Sequence, residues 1–218
     1  MTLRLRITVV VLVTATVTCA VFAYVVVFLR NRPPTVAVKA TKGEASLVLQ
    51  TVGSLGFGAH PDWVSYLAQK PDGSWSHSTI FDLPAYSTIH VTIAQYDSQT
   101  GLRNPFFGNV QGIEGGTMTV DGKEMSAIDP ATAAHTFAIP DLGVMVPLPG
   151  IPDNATKPCP SAPCTEKFDH VTIDFTFKTG APGKYRWQCY VPCAAGTLFG
   201  NGGPMQTVGF MDGFVQVA

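Results

Sequence analysis

The sequence has few charged residues. Only 13% of its 218 residues are Asp, Glu, Lys or Arg, and its formal net charge is −1. A protein that binds nucleic acid needs a basic surface for the phosphates, so this composition argues against nucleic acid as a partner. The chain also has no internal repeat, no Walker-type phosphate loop and no evident nucleophile–base–acid arrangement. These absences give a hydrolase little support.

Turn-forming residues are abundant instead. The chain has 21 glycines and 17 prolines, together with many Val, Thr, Ile and Phe residues, a composition typical of short strands. Residues 170–178 (HVTIDFTFK) alternate strictly between apolar and polar side chains, which predicts a half-buried strand. The pair Asp121-Gly122 predicts a type I′ hairpin turn, whereas residues 62–69 are assigned to one or two helical turns. With seven or eight strands and long late loops, the predicted fold is an all-β Greek-key β-sandwich.

The N-terminus contains one long apolar run, residues 7–29, with arginines on both sides. At about 1.5 Å per residue a helix of this length spans roughly 30 Å, the thickness of a bilayer core. We predict a cytoplasmic tail at 1–6, a single-pass transmembrane anchor at 7–29, a polar linker at 30–45 and a domain at 46–218. The alternative is a cleaved signal peptide, for which this apolar run is too long.

Four of the five cysteines lie outside the apolar run, in two close pairs. Such pairs fit an oxidising compartment, so we predict a cell-membrane protein whose domain lies on the extracytoplasmic side. Cys159 and Cys164 lie in a proline-rich loop and are predicted to form a local disulfide. Cys189 and Cys193 have two interpretations, a disulfide that closes a loop or a pair of metal-binding thiolates. Thiolate and thioether ligands select copper, and methionines follow this pair.

Two blocks of sequence carry a family resemblance. The first begins at His135 (HTFAIPDLG), and the second is PGKYRWQC-x3-C ending at Cys193, followed by Phe210-Met211. This pattern resembles the cupredoxin domain of subunit II of haem-copper (cytochrome c) oxidases, which carries the dinuclear copper A (CuA) centre. The resemblance covers roughly residues 87–217. It implies a cupredoxin-like sandwich that binds copper and transfers electrons in or near a respiratory chain, beside an oxidase or a small redox protein.

The resemblance also implies a set of metal ligands. His135 matches the first imidazole, Cys189 and Cys193 match the bridging thiolates, Val191 matches the carbonyl between them, and Met211 matches the methionine. Met211 matches only if the loop contains an insertion, since Gly200 stands at the uninterrupted spacing. The second imidazole of the family is missing in either case, because its position is taken by Thr197 without the insertion and by Val208 with it.

No histidine follows His170, so a second imidazole would have to come from His60 or His90. With one imidazole from elsewhere and the thioether of Met211 or Met205, a mononuclear copper site is an alternative to a dinuclear one. A second function remains open, a metal-free and disulfide-stapled cupredoxin fold that acts as an accessory or binding subunit. As an enzyme the chain would at most be an electron-transfer subunit of an oxidase complex.

Overall fold

The computed structural model describes residues 2–26, 33–194 and 198–218. The chain divides into two compact units, Met1–Arg32 and Pro33–Ala218. In the first unit, helix α1 (Leu3–Tyr24) carries Arg4 and Arg6 in its first turn and is mostly apolar thereafter. An 18-residue stretch of it has a mean hydropathy of 2.2, and the helix is long enough to cross a bilayer. It begins four residues before the predicted anchor, whose residues 27–29 lie outside the described residues. A membrane anchor and a signal sequence would both contain such a helix.

The second unit consists of strands, turns and short 3-10 helices. Its strands among the described residues are β1 (Thr35–Ala37), β2 (Lys39–Thr41), β3 (Glu44–Val52), β4 (Ser65–Gln69), β5 (Trp75–Ser76), β6 (Ile80–Leu83), β7 (Thr88–Gln95), β8 (Met118–Val120), β9 (Lys123–Met125), β10 (Ala133–Ile139), β11 (Val144–Pro149), β12 (Val171–Lys178), β13 (Gly183–Gln188) and β14 (Asp212–Val217).

These strands form two sheets. One has the order β1-β6-β14-β13-β10-β11, and the other has the order β5-β4-β3-β7-β12-β8-β9, with β2 paired to β3. Three neighbouring pairs are parallel, β1 with β6, β6 with β14, and β3 with β7. The chain passes repeatedly from one sheet to the other, as in Greek-key sandwiches. The predicted all-β sandwich with one N-terminal apolar helix is therefore confirmed.

The core lies between the two sheets. The apolar residues of β12 alternate with polar ones and point inward, as predicted. The strand β12 pairs with β7 over the whole length of both strands. From the other sheet, Trp187 is fully buried and stacks on Phe81 and Phe137, with ring centroids 5.7 and 5.6 Å apart. This aromatic stack fixes the end of β13, after which the chain enters the cysteine loop.

Two segments differ from the sequence-based expectation. Residues 35–41, predicted as linker, form β1 and β2, because Val36 is buried against the core and both strands pair with neighbours that belong to the domain. Residues 65–69, predicted as helical, form β4, and Tyr66, Leu67 and Ala68 are buried there. Burial on both faces removes the alternation by which a strand is recognised. The predicted hairpin turn has positive φ at Asp121 and Gly122, as a type I′ turn requires.

Candidate metal centre

His135 is placed by an irregularity in β10. Two steps along β10, from Ala133 to His135, match only one step along β11, so the strand carries an extra residue there. Bulges of this kind re-aim side chains and are common beside functional sites. The imidazole of His135 is completely buried, and its Nδ1 lies 3.9 Å from Sγ of Cys189. The sequence-predicted imidazole and thiolate are thus neighbours.

Cys189 directly follows β13, the strand that pairs with β10. The backbone N–H of Thr136 donates to its Sγ at 3.4 Å, and the backbone N–H of Cys189 donates to the carbonyl of Met211 at 2.9 Å. Neighbouring strands therefore hold both His135 and Cys189. The side-chain hydroxyl of Thr136 also accepts from the backbone N–H of Tyr190 at 2.8 Å, which fixes the start of the loop.

Cys193 completes the cluster from the loop after β13. Its Sγ lies 3.8 Å from that of Cys189, and both cysteines are free thiols. The backbone N–H of Cys193 donates to the carbonyl of Val191 at 2.8 Å, and this same carbonyl lies 3.7 Å from Sγ of Cys189. On its other side, Cys193 Sγ contacts Sδ of Met205 at 3.2 Å. Two thiol sulfur atoms and one ring nitrogen therefore lie together, and the Met205 sulfur lies beside Cys193.

The spacing of these atoms suits a shared ion. The ligand atoms of His135, Cys189 and Cys193 all lie within 4.8 Å of one another. Two thiolates that are each about 2.3 Å from one ion lie about 3.8 Å apart at a tetrahedral angle. A disulfide instead requires a separation of about 2.05 Å between the two sulfur atoms. The donors fit a soft metal ion, because thiolate and thioether prefer copper(I) or zinc, and imidazole suits both.

The side chains of the cluster shift one another's pKa values. Burial by itself lowers the pKa of His135, but Asp97 and the Cys189 thiolate outweigh it and raise this pKa to about 9. Burial raises the pKa of Cys189, yet hydrogen bonds from Cys193 and His135 and the nearby positive charge bring it well below its usual value. The Cys189 thiolate, followed by burial, raises the pKa of Cys193. Without a metal, the cluster thus favours an imidazolium–thiolate pair and one neutral thiol.

Asp97 is the site residue that the sequence reasoning missed. Its Oδ2 lies 3.1 Å from Nε2 of His135, although the N–H direction misses good hydrogen-bond alignment and the contact is chiefly electrostatic. Asp97 and Cys193 line the same surface cleft, which has a volume of about 400 Å³. A usable signal existed in the sequence, because Asp97 follows closely after an alternating strand that ends among buried residues.

The remaining predicted ligands lie as follows. Met211 is fully buried and contacts Cys189 through its backbone carbonyl, whereas the sulfur that contacts Cys193 belongs to Met205. His60 stacks on Trp63 at 3.8 Å, and exposed His90 pairs with Thr176, so the structure brings neither to the described cluster. Thr197 lies outside the described residues.

The other cysteine pair is separate from this cluster. Cys159 and Cys164 form a disulfide with a Cα–Cα distance of 5.9 Å. It closes a loop that packs beside Leu55 and Phe210 in a second, smaller apolar cluster. The predicted local disulfide is present.

Comparisons with known proteins yield structural neighbours only. No protein-family model and no curated protein sequence matches the chain. Similar solved structures include the copper protein rusticyanin, with 16% identity over 87% of this chain and 89% of that chain and a TM-score of 0.36. Rusticyanin from Thiobacillus ferrooxidans shows 17% identity over 87% of this chain and 88% of that chain, with a TM-score of 0.35. Another is the metal-binding domain of the Cu(I)-exporting P-type ATPase of Streptococcus pneumoniae, with 8% identity over 86% of this chain and 99% of that chain and a TM-score of 0.35. Identities and TM-scores at this level do not assign the chain to a family.

Proposed function

We propose that the β domain is a cupredoxin-like copper protein and that His135, Cys189 and Cys193 hold the ion. The observation that carries this proposal is the convergence of one imidazole nitrogen and two free thiols in a buried position, with sulfur–sulfur and nitrogen–sulfur distances of 3.8 and 3.9 Å. The third sulfur, of Met205, favours copper over zinc, because the usual protein ligands of zinc are Cys, His, Asp and Glu rather than a thioether.

Each ligand has a distinct role in this proposal. Nδ1 of His135 faces the sulfur atoms, so it is the nitrogen that would bind the ion. Cys189 supplies a thiolate stabilised by the backbone N–H of Thr136. Cys193 supplies the second sulfur from the loop, and the Val191 carbonyl lies beside both cysteines. Met211 remains the sequence-predicted thioether ligand, and Met205 is the candidate that the contact with Cys193 supports.

Bound copper would supply a one-electron redox centre. The protein would exclude water from it, because His135 and Cys189 are fully buried while Cys193 is only partly so. We further propose that the apolar helix anchors the domain to the cell membrane on its extracytoplasmic side. There it would transfer electrons in or near a respiratory chain, with a haem-copper oxidase or a small redox protein as its partner. The oxidase subunit II resemblance and the N-terminal helix support this placement.

Copper loading tests the proposal directly. The full-length chain is purified in detergent under reducing conditions, loaded anaerobically with copper, and analysed for metal content and for thiolate-to-copper charge-transfer absorption after oxidation. We expect stoichiometric copper, with the absorption lost in Cys189→Ser and Cys193→Ser and retained in the matched control Cys159→Ser/Cys164→Ser. A colourless wild-type chain without copper would refute the proposal. If thiol counting then finds two disulfides, the metal-free accessory function takes its place.

A second comparison identifies the thioether. Met205→Leu and Met211→Leu are both nearly volume-conserving changes at buried positions, so each should cost less than about 1.5 kcal/mol in stability. Because the Met205 sulfur lies 3.2 Å from Cys193 Sγ, we expect Met205→Leu to shift the charge-transfer band and the reduction potential. Met211→Leu should leave both close to wild type, and the reverse result would make Met211 the ligand.

A further inference from the structure

Asp97 has a position that packing alone does not explain. It lies just beyond β7, and its carboxylate reaches the far side of the same imidazole ring that faces the cysteines, with Oδ2 3.1 Å from His135 Nε2. The side chain keeps 25% of its surface exposed, through the cleft that also reaches Cys193. A carboxylate next to a buried ring nitrogen, one ring width from two sulfur atoms, is the arrangement found in the outer shell of metal sites.

The carboxylate is held in place by its surroundings. Its Oδ1 accepts from the backbone N–H of Ser98 at 2.8 Å, while the backbone N–H of Asp97 donates to the side-chain carbonyl of Gln95 at 2.9 Å. Its backbone carbonyl accepts from the N–H of Ile151 at 2.9 Å. These contacts leave Oδ2 free to face the ring of His135, so the orientation is built into the fold.

Gly53 makes room for this orientation. A Cβ at position 53 would lie 2.6 Å from Oδ1 of Asp97, closer than real Cβ contacts come. The backbone of Gly53 does not need a positive φ, so the missing side chain serves space rather than conformation. A methyl group at this position, as in alanine, would force the carboxylate to leave its present position.

We propose that Asp97 is the positioning residue of the metal centre, orienting His135 through Nε2 so that Nδ1 is the nitrogen presented to the ion. This inference rests on the proposed copper function, and it adds a residue that the family resemblance does not include. With the carboxylate 3.1 Å from Nε2, this nitrogen keeps its proton and Nδ1 is left to bind the ion. The negative charge also makes Nδ1 a stronger donor, which favours Cu(II) over Cu(I) and lowers the reduction potential.

Three variants separate position from charge. Asp97→Asn removes the charge, Gly53→Ala keeps the charge but displaces the carboxylate, and Asp62→Asn removes a negative charge elsewhere on the same cleft as the matched control. The first readout needs no copper. In the full-length, reduced, metal-free chain labelled with 15N at histidine, the Nε2–H resonance of His135 is assigned by its loss in His135→Gln.

In the wild type, we expect this N–H to exchange slowly with water and to resonate downfield, as a buried N–H beside a carboxylate does. Both Asp97→Asn and Gly53→Ala should move the resonance upfield, whereas Asp62→Asn should leave it unchanged. In the copper-loaded chain, both variants should raise the reduction potential and weaken copper binding about 10- to 100-fold, the usual effect of removing an outer-shell partner.

Each alternative outcome is decisive. If Asp97→Asn changes the resonance and the potential no more than Asp62→Asn does, the positioning role is refuted. If Gly53→Ala behaves as wild type while Asp97→Asn does not, charge alone matters and the positioning claim is again wrong. If the chain binds no copper but the resonance responds as expected, the Asp97–His135 contact stands and the copper function fails.

Discussion

Gly213 is the position where a single methyl group should cost the domain most. It lies on β14 between β13 on one side and parallel β6 on the other. A Cβ there would lie 1.9 Å from the carbonyl oxygen of Thr79, 2.7 Å from Thr79 Cβ and 2.6 Å from Nε1 of Trp187. The closest of these atoms is a backbone carbonyl directly before β6, so it cannot rotate away as a flexible side chain could.

The expected magnitude follows from the contacts at Thr79. Its carbonyl accepts two hydrogen bonds, from Trp187 Nε1 at 2.8 Å and from the backbone N–H of Phe214 at 3.0 Å. Moving this carbonyl to admit a methyl group strains or breaks both bonds, at about 1 kcal/mol each. Overpacking of a tight core adds roughly 1–3 kcal/mol. Gly213→Ala should therefore lower the free energy of unfolding by about 3–5 kcal/mol in total.

Equilibrium unfolding in urea, followed by tryptophan fluorescence in the reduced, metal-free chain, measures this difference. The matched control is Gly183→Ala on β13, where the nearest atoms to a new Cβ belong to the ring of Tyr185, at 3.4 Å. Replacing a strand glycine that has room should be neutral or stabilising by up to about 1 kcal/mol. If Gly213→Ala stayed within about 1 kcal/mol of wild type, β14 would have to be more loosely packed against β6 than described here.

Three further outcomes are expected. Replacing Cys159 and Cys164 together by serine should destabilise the domain by about 2 kcal/mol in chemical denaturation, because their loop is short, and should leave copper absorption unchanged. Burial lowers the pKa of His77 below 6.5, the usual pKa of histidine, so this side chain binds protons more readily in the unfolded chain than in the folded one. The free energy of unfolding should therefore fall as the pH drops below 6.5, and His77→Gln should flatten that fall. Because the pKa of Cys189 is lowered, thiolate ultraviolet absorbance in the metal-free chain should persist to lower pH than that of an ordinary cysteine, and it should be absent in Cys189→Ser.

The sequence was informative where a pattern is local. Alternation in β12 and the Asp-Gly turn each need only neighbouring residues, and the structure confirms both. The grouping of His135 with two cysteines was predicted from a family pattern rather than from physical chemistry, because 54 residues separate His135 from Cys189 and no local rule connects them. Once two strands are known to pair, however, such a contact follows from the sheet order.

Other features of the site could not be read from spacing. The bulge that aims His135 depends on how β10 pairs with β11, and pairing registers are not visible in a single strand. Met205 and Met211 are both apolar residues in one loop region, and only the folded path of the loop shows which sulfur contacts Cys193. Asp97 comes from a segment far earlier in the chain, and its role becomes apparent only when its carboxylate is seen beside Nε2.

The centre therefore consists of two halves with different supports. His135 and Cys189 come from adjacent strands and are buried, hydrogen-bonded and charge-paired without any ion. Cys193 and Met205 are supplied by the loop that follows, and the thiol of Cys193 faces the cleft. Because Cys193 lines the cleft, an ion that entered there would meet Cys193 first and then the pair of His135 and Cys189. That pair is already in place and would need little reorganisation. The loop half should accordingly set how fast copper is gained or lost, while the strand half sets how tightly it is held.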